Sequence, residues 1–418
     1  MDLAAACLEM FAHHRVQAFG GAFHVPAARE YSCLFSWDSG YHALALRWID
    51  RVAAVEELHT LYAANTTPEG LLAHERPLPG TDQRTAMVID WFGPIYRPDG
   101  RSWLIDPPVA AYAAAKIFDP DIDTDAALLA AASAHLRTID RYRTLSPHGM
   151  PVILHPLESG ADASPLFDGL VDVSSRRAMF ASHKALSLGL AVVRYSPVEA
   201  RDAGHGFIVS DPIFCGWHLL ALEEVASAWR RAGRTDLAEA FDTRASQLAE
   251  VMLREMWCEA LGLFGGFDHV AGRRIATATL GGVVAAASRN MRTAGVGSRV
   301  ISAHLRPPRS AFWGPFGVSF NPLDGREIGP RALLWRGDVV WGATQYWAHL
   351  VLAANGEQAL AARATVQMED LIRRSGFREY YSASTGAGYG AGEVHGFTWP
   401  ALVLEMAATD RDQARRAL

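Results

Sequence analysis

Residues 155–168 place three carboxylates and two prolines in one short segment. The carboxylates belong to Glu158, Asp162 and Asp168. Proline fixes φ and removes a backbone donor, and Gly160 permits a bend between the two prolines, so this segment cannot be a plain helix. A rigid acidic loop among long helical segments is a place where acid–base chemistry is expected, because functional groups concentrate on loops that a rigid scaffold positions.

Three further segments combine an ionisable group with aromatic residues near a predicted helix end, at residues 31–42, 335–341 and 377–381. A helix cap or an ion pair would explain any one of these groups, but solvated caps do not need neighbouring tryptophans. Hydrolysis of a glycoside requires one carboxyl group held protonated and one ionised. Sugar rings also need aromatic platforms, and their hydroxyl groups need charged acceptors. The four segments supply these parts, although the spacing alone is weakly specific because carboxylates are common.

The elements that must position these residues follow a 3.6-residue apolar pattern, which predicts about twelve helices. The helices are expected at residues 2–16, 39–63, 105–118, 123–145, 176–195, 211–232, 234–257, 275–290, 296–306, 338–355, 356–375 and 398–416. Long loops rich in Gly, Pro and aromatic residues separate them, at 17–38, 64–104, 146–175, 258–274, 307–337 and 376–397. Loops longer than about 15 residues are usually functional or carry short strands.

The order of these elements indicates the fold class. No β-α-β alternation, Gly-rich phosphate loop or Ser/Gly linker occurs in the sequence. The pattern therefore predicts an all-α fold in which residues 1–418 form one domain, a closed ring of helices called an α-toroid. The long loops, some with short strands, are expected to form the site at one end of this ring.

The composition narrows the partners of the chain. A net charge of −6 and the lack of a basic tract argue against nucleic acid. No apolar run of about 18 residues occurs, which argues against a membrane-spanning helix and a membrane partner. No basic segment precedes an apolar core, so no signal peptide is recognised and a cytoplasmic location is expected. The 12 tryptophans, together with 18 phenylalanines and 11 tyrosines, suit a small carbohydrate substrate.

The metal-ligating residue types show no pattern typical of a metal site. The histidines lack a spacing such as H-E-x-x-H, so neither a metal nor any other cofactor is expected. The four cysteines, Cys7, Cys33, Cys215 and Cys258, lie far apart and are expected to be small buried hydrophobic residues. The oligomeric state is left open.

Several short runs together resemble glycoside hydrolase family 63. The run at residues 158–165 resembles the family signature ESGxDNSP. Other runs follow in the family's order over roughly residues 31–405: 37–42 resembles WDSxFH, 107–108 the end of QPP, 207–212 FxVxDP, 335–341 WRGPVW, 379–386 ENYNPxTG and 397–399 the start of FSWTA. That family covers processing α-glucosidase I and the bacterial mannosylglycerate and glucosylglycerate hydrolases.

The resemblance implies an (α/α)6 barrel and an inverting hydrolase of a small α-glucoside or α-mannoside. It assigns the general acid to Asp162 and the general base to Glu379, which are 379 − 162 = 217 residues apart on separate long loops. An inverting mechanism predicts that the two carboxyl groups lie roughly 6.5–9.5 Å apart, with room for a water molecule. The residues expected to bind the substrate are Tyr31, Phe35, Trp37, Asp38, His42, Glu158, Trp335, Arg336, Gly337, Trp341 and Tyr380.

Four positions depart from the family pattern. Leu157 and Ala163 stand where these hydrolases often carry Trp and Asn, Asp106 stands where Gln precedes the two prolines, and Asp338 replaces the Pro of WRGPVW. These changes leave the two candidate catalytic carboxylates in place. They leave the identity of the sugar open.

Alternatives remain at the level of residues and of function. Glu393 is the main rival for the general base, and Glu158 could orient Asp162 or cap its loop. Among the histidines, His42 is expected to line the site, whereas the others, including His74, are interpreted as structural. A sugar epimerase or isomerase of the same α-toroid architecture would instead use a histidine pair, such as His183 and His395. A sugar-binding descendant without catalysis is the third possibility.

Overall fold

Helices dominate the computed structural model, which describes residues 2–80, 93–146, 149–308, 310–323 and 334–417. The helices are α1 (Leu3–His14), α2 (Ser36–Leu46), α3 (Arg51–Asn65), α4 (Val109–Ile117), α5 (Asp123–Tyr142), α6 (Arg176–Val192), α7 (Pro197–Asp202), α8 (Pro212–Arg231), α9 (Thr235–Glu255), α10 (Arg289–Thr293), α11 (Val296–Val300), α12 (Gly342–Ala354), α13 (Gln358–Ser375) and α14 (Val403–Ala417). Further helical turns cover Pro156–Ser159, Pro165–Phe167, Leu280–Ala287, Ile301–Leu305 and Trp399–Leu402.

The predicted helices agree with these bounds within a few residues, with two exceptions. The segment predicted as one helix over residues 39–63 is two helices, because the Asp50 side chain accepts a hydrogen bond from the Ala53 N–H and starts α3 anew. The helix predicted over residues 275–290 is confined to Leu280–Ala287, since Ile275 still belongs to a strand. Parts of the predicted loops 64–104, 146–175 and 307–337 lie outside the described residues.

Six segments, called here the inner segments, are buried over most of their length: α2, α4, α8, Leu280–Ala287, α12 and Trp399–Leu402. Only α8 becomes exposed at its end, at Arg230 and Arg231. Each inner segment contacts the next one in chain order, and Trp399–Leu402 returns to α2. Such segments have no polar face to expose to water, so they are stable only when other elements surround them. Their contacts therefore follow a ring around one axis, and the fold is a helical barrel.

Amphipathic helices pack outside the inner segments. Helix α9 lies against α8 and shows the predicted apolar stripe, in which Phe241, Leu248, Met252 and Met256 are buried. Burying one such side chain contributes about 1.5–3 kcal/mol relative to leaving it in water. Helices α3, α5 and α13 contact α2, α4 and α12 in the same manner. The outer helices therefore depend on one apolar face each, as the 3.6-residue pattern predicted.

Large aromatic side chains fill the axis of the ring. Trp217 of α8 lies between Tyr41 and Tyr112, with ring centroids 6.0 and 5.3 Å away, and it stacks on Tyr346 at 6.3 Å. The Trp347 indole N–H donates to the Tyr41 hydroxyl over 2.9 Å. All five rings are buried, so the interior below the candidate site is a packed core.

Short antiparallel strands stiffen the loops. The strands are β1 (Arg15–Ala18), β2 (Gly21–His24), β3 (Cys33–Phe35), β4 (Glu75–Pro77), β5 (Val209–Ser210), β6 (Trp257–Cys258), β7 (Leu263–Phe264), β8 (Gly266–Asp268), β9 (Arg273–Ile275), β10 (Trp313–Gly314), β11 (Gly317–Val318), β12 (Val339–Trp341), β13 (Tyr380–Ser382) and β14 (Gly388–Tyr389). The sheet of β12, β13 and β14 is the one that matters for the site, because it places Trp341 opposite Tyr380.

Two further sequence expectations concern burial and membranes. All four cysteines are buried, as predicted. Within the described part of the chain, no helix has the length and apolar character that crossing a membrane would require.

Candidate active site

Four tryptophans form a cluster where inner segments begin; this cluster of Trp37, Trp335, Trp341 and Trp399 is called here the aromatic wall. Trp37 lies in the first turn of α2, Trp341 directly precedes α12, and Trp399 opens the last inner segment. The Trp399 ring lies 5.1 Å from that of Trp37 and 5.6 Å from that of Trp341, while Trp335 stacks on Trp341 at 4.2 Å. The structure thus brings together three predicted site tryptophans, Trp37, Trp335 and Trp341, with a fourth, Trp399, that the sequence analysis did not select.

Asp162 lies on the acid loop, the name used here for residues 155–171. The loop is held by its own hydrogen bonds: the Ser159 hydroxyl donates to the Pro156 carbonyl over 2.7 Å, and the Ala161 N–H donates to Ser159 Oγ over 3.0 Å. Burial raises the pKa of Asp162 to about 6, although the backbone N–H groups of Asp162 and Ala163 favour its ionised form. The carboxyl group is therefore suited to carry a proton close to neutral pH.

The acid loop touches the aromatic wall through a glycine. Gly160 has φ +72°, and a Cβ atom at this position would lie 2.3–2.6 Å from three ring carbons of Trp37. Only glycine combines this left-handed backbone with such a close approach. The distance between the acid loop and the aromatic wall is therefore set by the contact of Gly160 with the Trp37 ring.

Glu379 lies on the opposite loop, immediately before β13. The Tyr31 hydroxyl donates to Glu379 Oε1 over 2.6 Å, and the Ala391 N–H donates to Oε2 over the same distance. Burial raises the pKa of Glu379, the two donors oppose that rise, and the negative charge of Asp162 adds to it. The two candidate catalytic carboxylates thus lie close enough to interact electrostatically, and each has its own set of donors.

Asp38 is the third carboxyl group near the aromatic wall. It accepts a hydrogen bond from the Trp399 indole N–H over 2.6 Å. Burial raises the pKa of Asp38 to about 8, and the charge of Asp106 contributes to the rise. Asp38 can therefore carry a proton at neutral pH, which allows it both to donate to and to accept from a hydroxyl group.

A histidine that was interpreted as structural also lies at this site. Asp106 accepts hydrogen bonds from the Ser36 hydroxyl at 2.7 Å and the Trp37 N–H at 3.2 Å, and it pairs with His74 Nδ1. Burial alone would lower the pKa of His74, but the adjacent Asp106 outweighs it and raises the value to about 9. His74 is therefore a cation whose charge acts on Asp38 and Asp162. The Asp in place of the family's Gln marked Asp106 as unusual, but nothing in the sequence marked His74 as its partner.

Two residues that were predicted to bind substrate make hydrogen bonds and ion pairs with other residues of the protein. Both oxygens of Glu158 are bound: it pairs with Arg143 and accepts from the Leu154 N–H at 2.6 Å. His42 lies 3.1 Å from Glu57 and 2.7 Å from the Thr398 hydroxyl. Both side chains are almost fully buried. Glu158 thus anchors the acid loop, and His42 ties α2 to the last inner segment. Contact of these two residues with substrate stays a prediction.

Two more predicted residues form the turn that precedes β12. Arg336 donates to the carbonyl of Ala163 and pairs with Asp168, so it is directed at the acid loop. The Gly337 carbonyl accepts a hydrogen bond from the Asn321 side chain over 3.1 Å. Arg336 and Gly337 thus hold loops together, and their predicted contact with the sugar stays a prediction.

The remaining predicted residues flank the two loops. Phe35 lies 6.1 Å from the Tyr31 ring and 5.7 Å from the His74 ring, and Tyr380 lies 5.0 Å from Trp341. These rings extend the aromatic surface on both sides of Glu379. Phe35, Tyr31 and Tyr380 thus remain candidates for substrate contact.

The departures from the family pattern have local explanations. The Asp338 carboxylate accepts from the Ser382 hydroxyl at 2.6 Å and from the Ser384 N–H at 3.2 Å, so it fastens β12 to the turn after β13. Ala163 is fully buried, and its carbonyl accepts a hydrogen bond from Arg336. Leu157 packs, half-buried, in an apolar cluster around Leu154 and Leu190.

Three comparisons place the chain among known proteins. Residues 31–400 match the mannosylglycerate hydrolase MGH1-like glycoside hydrolase domain. A mannosylglycerate hydrolase of Thermus thermophilus is 27% identical over 92% of this chain and 96% of its own length. The corresponding enzyme of Rubrobacter radiotolerans is 25% identical over 92% of each chain.

A solved structure agrees with these sequence matches. The crystal structure of a family 63 mannosylglycerate hydrolase from a second strain of Thermus thermophilus, in complex with Tris and D-glycerate, has a TM-score of 0.82 and 25% identity. The match between the two structures covers 97% of this chain and 100% of the crystallised chain. The chain therefore belongs to the MGH1-like glycoside hydrolases of glycoside hydrolase family 63.

Proposed function

We propose that this glycoside hydrolase cleaves the α-mannoside or α-glucoside of a small acid such as glycerate, with inversion of the anomeric centre. Asp162 is the general acid and Glu379 the general base. The proposal includes one (α/α)6 barrel over residues 1–418, whose inner ring is made of the six inner segments. A cytoplasmic location remains a prediction from the sequence.

The observation that carries this proposal is that two carboxyl groups on separate loops meet beside the aromatic wall, close enough for the charge of Asp162 to raise the pKa of Glu379. Burial raises the pKa of Asp162 to about 6, so a minor fraction of the group still carries its proton at neutral pH. Glu379 accepts two hydrogen bonds, from the Tyr31 hydroxyl and the Ala391 N–H, and both favour the ionised form. One group can give a proton and the other can take one, which is the division of labour that glycoside hydrolysis needs.

In the proposed reaction, the Asp162 carboxyl group donates its proton to the glycosidic oxygen as the bond from that oxygen to the anomeric carbon breaks. Glu379 takes a proton from a water molecule, and the water oxygen forms the new bond to the anomeric carbon on the opposite face. The products are the free sugar of inverted configuration and the released hydroxy acid. The roughly 6.5–9.5 Å separation of the two carboxyl groups remains a prediction.

Charges beside Asp162 support an acidic leaving group. The cations of His74 and Arg176 both lower the pKa of Asp162, so they act at the point where the leaving group departs. Cations placed there favour a carboxylate on the aglycone. The relatives are named as mannosylglycerate hydrolases, and the solved relative holds D-glycerate, which agrees with this assignment.

The aromatic wall supports the binding of the sugar itself. Flat apolar faces of a pyranose ring can pack on the partly exposed rings of Tyr31 and Phe35, which the buried tryptophans support, while Asp38 holds a hydroxyl group. Such contacts fix the sugar in one orientation before the chemical step, which reduces the activation barrier.

The placement of Glu393 and of two histidines bears on the alternative base and on the alternative of a sugar epimerase. Glu393, the rival base, has an exposed side chain, whereas Glu379 is buried. The histidines needed by a sugar epimerase lie apart: His183 contacts the His155 ring, and His395 stacks on His13 of α1. Neither observation favours a histidine pair beside Asp162.

The test is a hydrolysis screen over α-mannosides and α-glucosides of glycerate, glycerol and short sugars, with wild type, Asp162→Asn, Glu379→Gln and Glu393→Gln. The first two variants should lower kcat by about 100-fold or more, as expected for loss of a positioned acid or base. Glu393→Gln should leave turnover nearly unchanged.

The anomeric configuration of the first-formed product, followed by proton NMR, separates the mechanisms. A product of inverted configuration is expected. Retention would overturn the proposed mechanism, and an inactive wild type across the whole screen would favour the sugar-binding descendant.

A further inference from the structure

Arg336 links the turn before β12 to the acid loop. Its Nε–H donates to the Ala163 carbonyl over 2.8 Å, and Nη2 reaches the Ser164 carbonyl over 3.4 Å. Both Nη atoms also pair with the Asp168 carboxylate. All three nitrogens of the guanidinium are therefore engaged with the part of the acid loop that follows Asp162.

The turn that carries Arg336 is itself held rigidly. Trp335 has φ +65° and Gly337 has φ +85°, so the chain passes through two left-handed residues around Arg336. The Asn321 side-chain amide donates to the carbonyls of both, over 3.0 and 3.1 Å. Trp335 also stacks on Trp341. A left-handed tryptophan is costly and persists only where its surroundings fix it, which is the case here.

After Asp162 the acid loop has local bonds of its own, such as that from the Ser164 N–H to the Ala161 carbonyl at 2.8 Å, but these do not tie it to a distant part of the chain. Ser159 and Ala161 hold the loop on the side before Asp162. On the side after it, Arg336 connects the carbonyls of Ala163 and Ser164 to a different part of the chain, 173 and 172 residues away. A planar guanidinium with fixed donors is suited to this task, because it sets both distance and angle.

We propose that Arg336 is a positioning residue for the general acid: its contacts with Ala163, Ser164 and Asp168 set the place of the Asp162 carboxyl group relative to the aromatic wall. This inference rests on the proposed function. A general acid must lie within hydrogen-bond reach of the leaving oxygen, and a displacement of about 1 Å can reduce the rate by a factor of about 100.

The proposal has a consequence that a sugar-binding role for Arg336 would not have. A leaving group that departs as a stable anion, such as 2,4-dinitrophenolate, needs little help from a general acid. The alcohol oxygen of a glycerate glycoside needs a proton before it can leave. Loss of Arg336 should therefore harm the second substrate far more than the first.

The experiment compares kcat and KM for the α-mannoside of glycerate and for 2,4-dinitrophenyl α-mannoside, or for the two α-glucosides if wild type prefers glucose. The variants are Arg336→Gln, Arg336→Lys and Asp168→Asn. Arg336→Gln should lower kcat for the glycerate glycoside by about 100-fold and for the dinitrophenyl glycoside by less than about 5-fold. Arg336→Lys and Asp168→Asn should show smaller losses with the same preference.

A matched control is available in Arg101. Its Nε–H also donates to a loop carbonyl, that of Ala64, over 2.8 Å, and it also pairs with a neighbouring aspartate, Asp99. Arg101→Gln should leave the rates of both substrates unchanged. If Arg336→Gln fails to fold, as judged by circular dichroism, Asp168→Asn and Arg336→Lys carry the same comparison.

The outcomes separate this proposal from the proposed function. Equal losses on both substrates with a raised KM would mean that Arg336 holds the sugar, and unchanged rates on both would mean that it has no role in the reaction; either result overturns the proposal. A wild type that cleaves neither substrate would instead reject the proposed function, and the role of Arg336 would fall with it.

Discussion

At the scale of single residues, burial dominates the protonation of the candidate site, and the donors on each carboxyl group decide its role. Burial is the largest effect on Asp38, Asp162 and Glu379, and it raises the pKa of all three. The three differ in their partners: an indole N–H on Asp38, backbone N–H groups on Asp162, and a phenol with a backbone N–H on Glu379. Similar side chains thereby acquire different chemistry.

The hydroxyl of Tyr31 gives a direct test at this scale. Tyr31→Phe removes the donor from Glu379 Oε1. Because that donor favours the ionised carboxylate, its loss should raise the pKa of Glu379 further. A base works only when ionised, so the acidic limb of the kcat/KM profile should move to higher pH. On the basic limb, activity falls as Asp162 loses its proton. The pKa of Asp162, about 6, should stay nearly in place.

The control for this variant is Tyr62→Phe, which also removes a buried tyrosine hydroxyl. Tyr62 lies in α3, and its hydroxyl has no hydrogen-bond partner among the described residues. Its pH profile should match that of wild type. A Tyr31→Phe enzyme with an unshifted acidic limb would show that Glu379 does not set that limb.

The resemblance could name candidate carboxylates for this site, but it could not name their partners. Asp162 and Glu379 stand in recognisable runs, so the resemblance could assign them. The pairing of His74 with Asp106 joins residues 32 positions apart, and nothing in the local pattern of either residue indicates the other. The partner of Glu158 was hidden for the same reason, since Arg143 gives no signal in the sequence.

At the scale of elements, the site is assembled from the starts of the inner segments. Trp37, Trp341 and Trp399 all lie at N-terminal ends of these segments. The N-terminal end of a helix carries the positive end of its dipole, which favours nearby carboxylates. The dipole thus opposes the effect of burial, which still dominates and raises the pKa of Asp38, Asp162 and Glu379.

The contact between Gly160 and Trp37 predicts a loss specific to one of two similar glycines. Gly160→Ala and Gly169→Ala both place alanine in a left-handed conformation on the acid loop, which costs about 1–2 kcal/mol. Only at Gly160 would the new Cβ meet the Trp37 ring; at Gly169 nothing lies within 4 Å. Gly160→Ala should lower kcat by about 10-fold or more, because the acid is displaced.

Gly169→Ala serves as the control, with a stability loss but nearly normal kcat. The measurements are steady-state kinetics and thermal unfolding of both variants. Equal kinetics for the two would show that the packing of Gly160 on Trp37 does not position the acid loop.

The elements themselves were largely predictable, with a physical limit. Outer helices such as α9 have one apolar face, so their period and ends are visible in the sequence. Inner segments are buried on all sides and therefore lack a polar face to mark their rotation or their ends. This explains why the break between α2 and α3, set by the Asp50 cap, was missed, and why Leu280–Ala287 was predicted too long.

At the scale of the whole molecule, the ring is closed by contacts between distant parts of the chain. Arg47, just after α2, forms a two-pronged ion pair with Glu405 of α14, with both N–O distances at 2.8 Å. The Trp48 indole N–H also donates to Glu405. Glu405 is buried and Arg47 nearly so. The pair therefore joins the end of the first inner segment, α2, to the last helix of the chain, α14.

Breaking this pair should destabilise the protein without altering its chemistry. Glu405→Ala leaves the Arg47 charge buried and without its carboxylate, so the free energy of unfolding should fall by about 3–5 kcal/mol. The control is Glu369→Ala, which removes a largely exposed helical pair with Arg373 and should cost only about 0.3–0.5 kcal/mol. Urea unfolding measures both, and equal losses would contradict a role for Glu405 in closing the ring.

The long sequence separation of the ring-closing contacts governs when the protein becomes an enzyme during its own synthesis. Tyr31 meets Glu379 across 348 residues, and Asp38 meets Trp399 across 361. Contacts this far apart form late, because the entropy of bringing the ends together must be overcome first. The early loops emerge from the ribosome long before their partners exist. A nascent chain that still lacks Glu379 and Trp399 therefore has an incomplete site. Catalysis can begin only after the last inner segment has packed against α2.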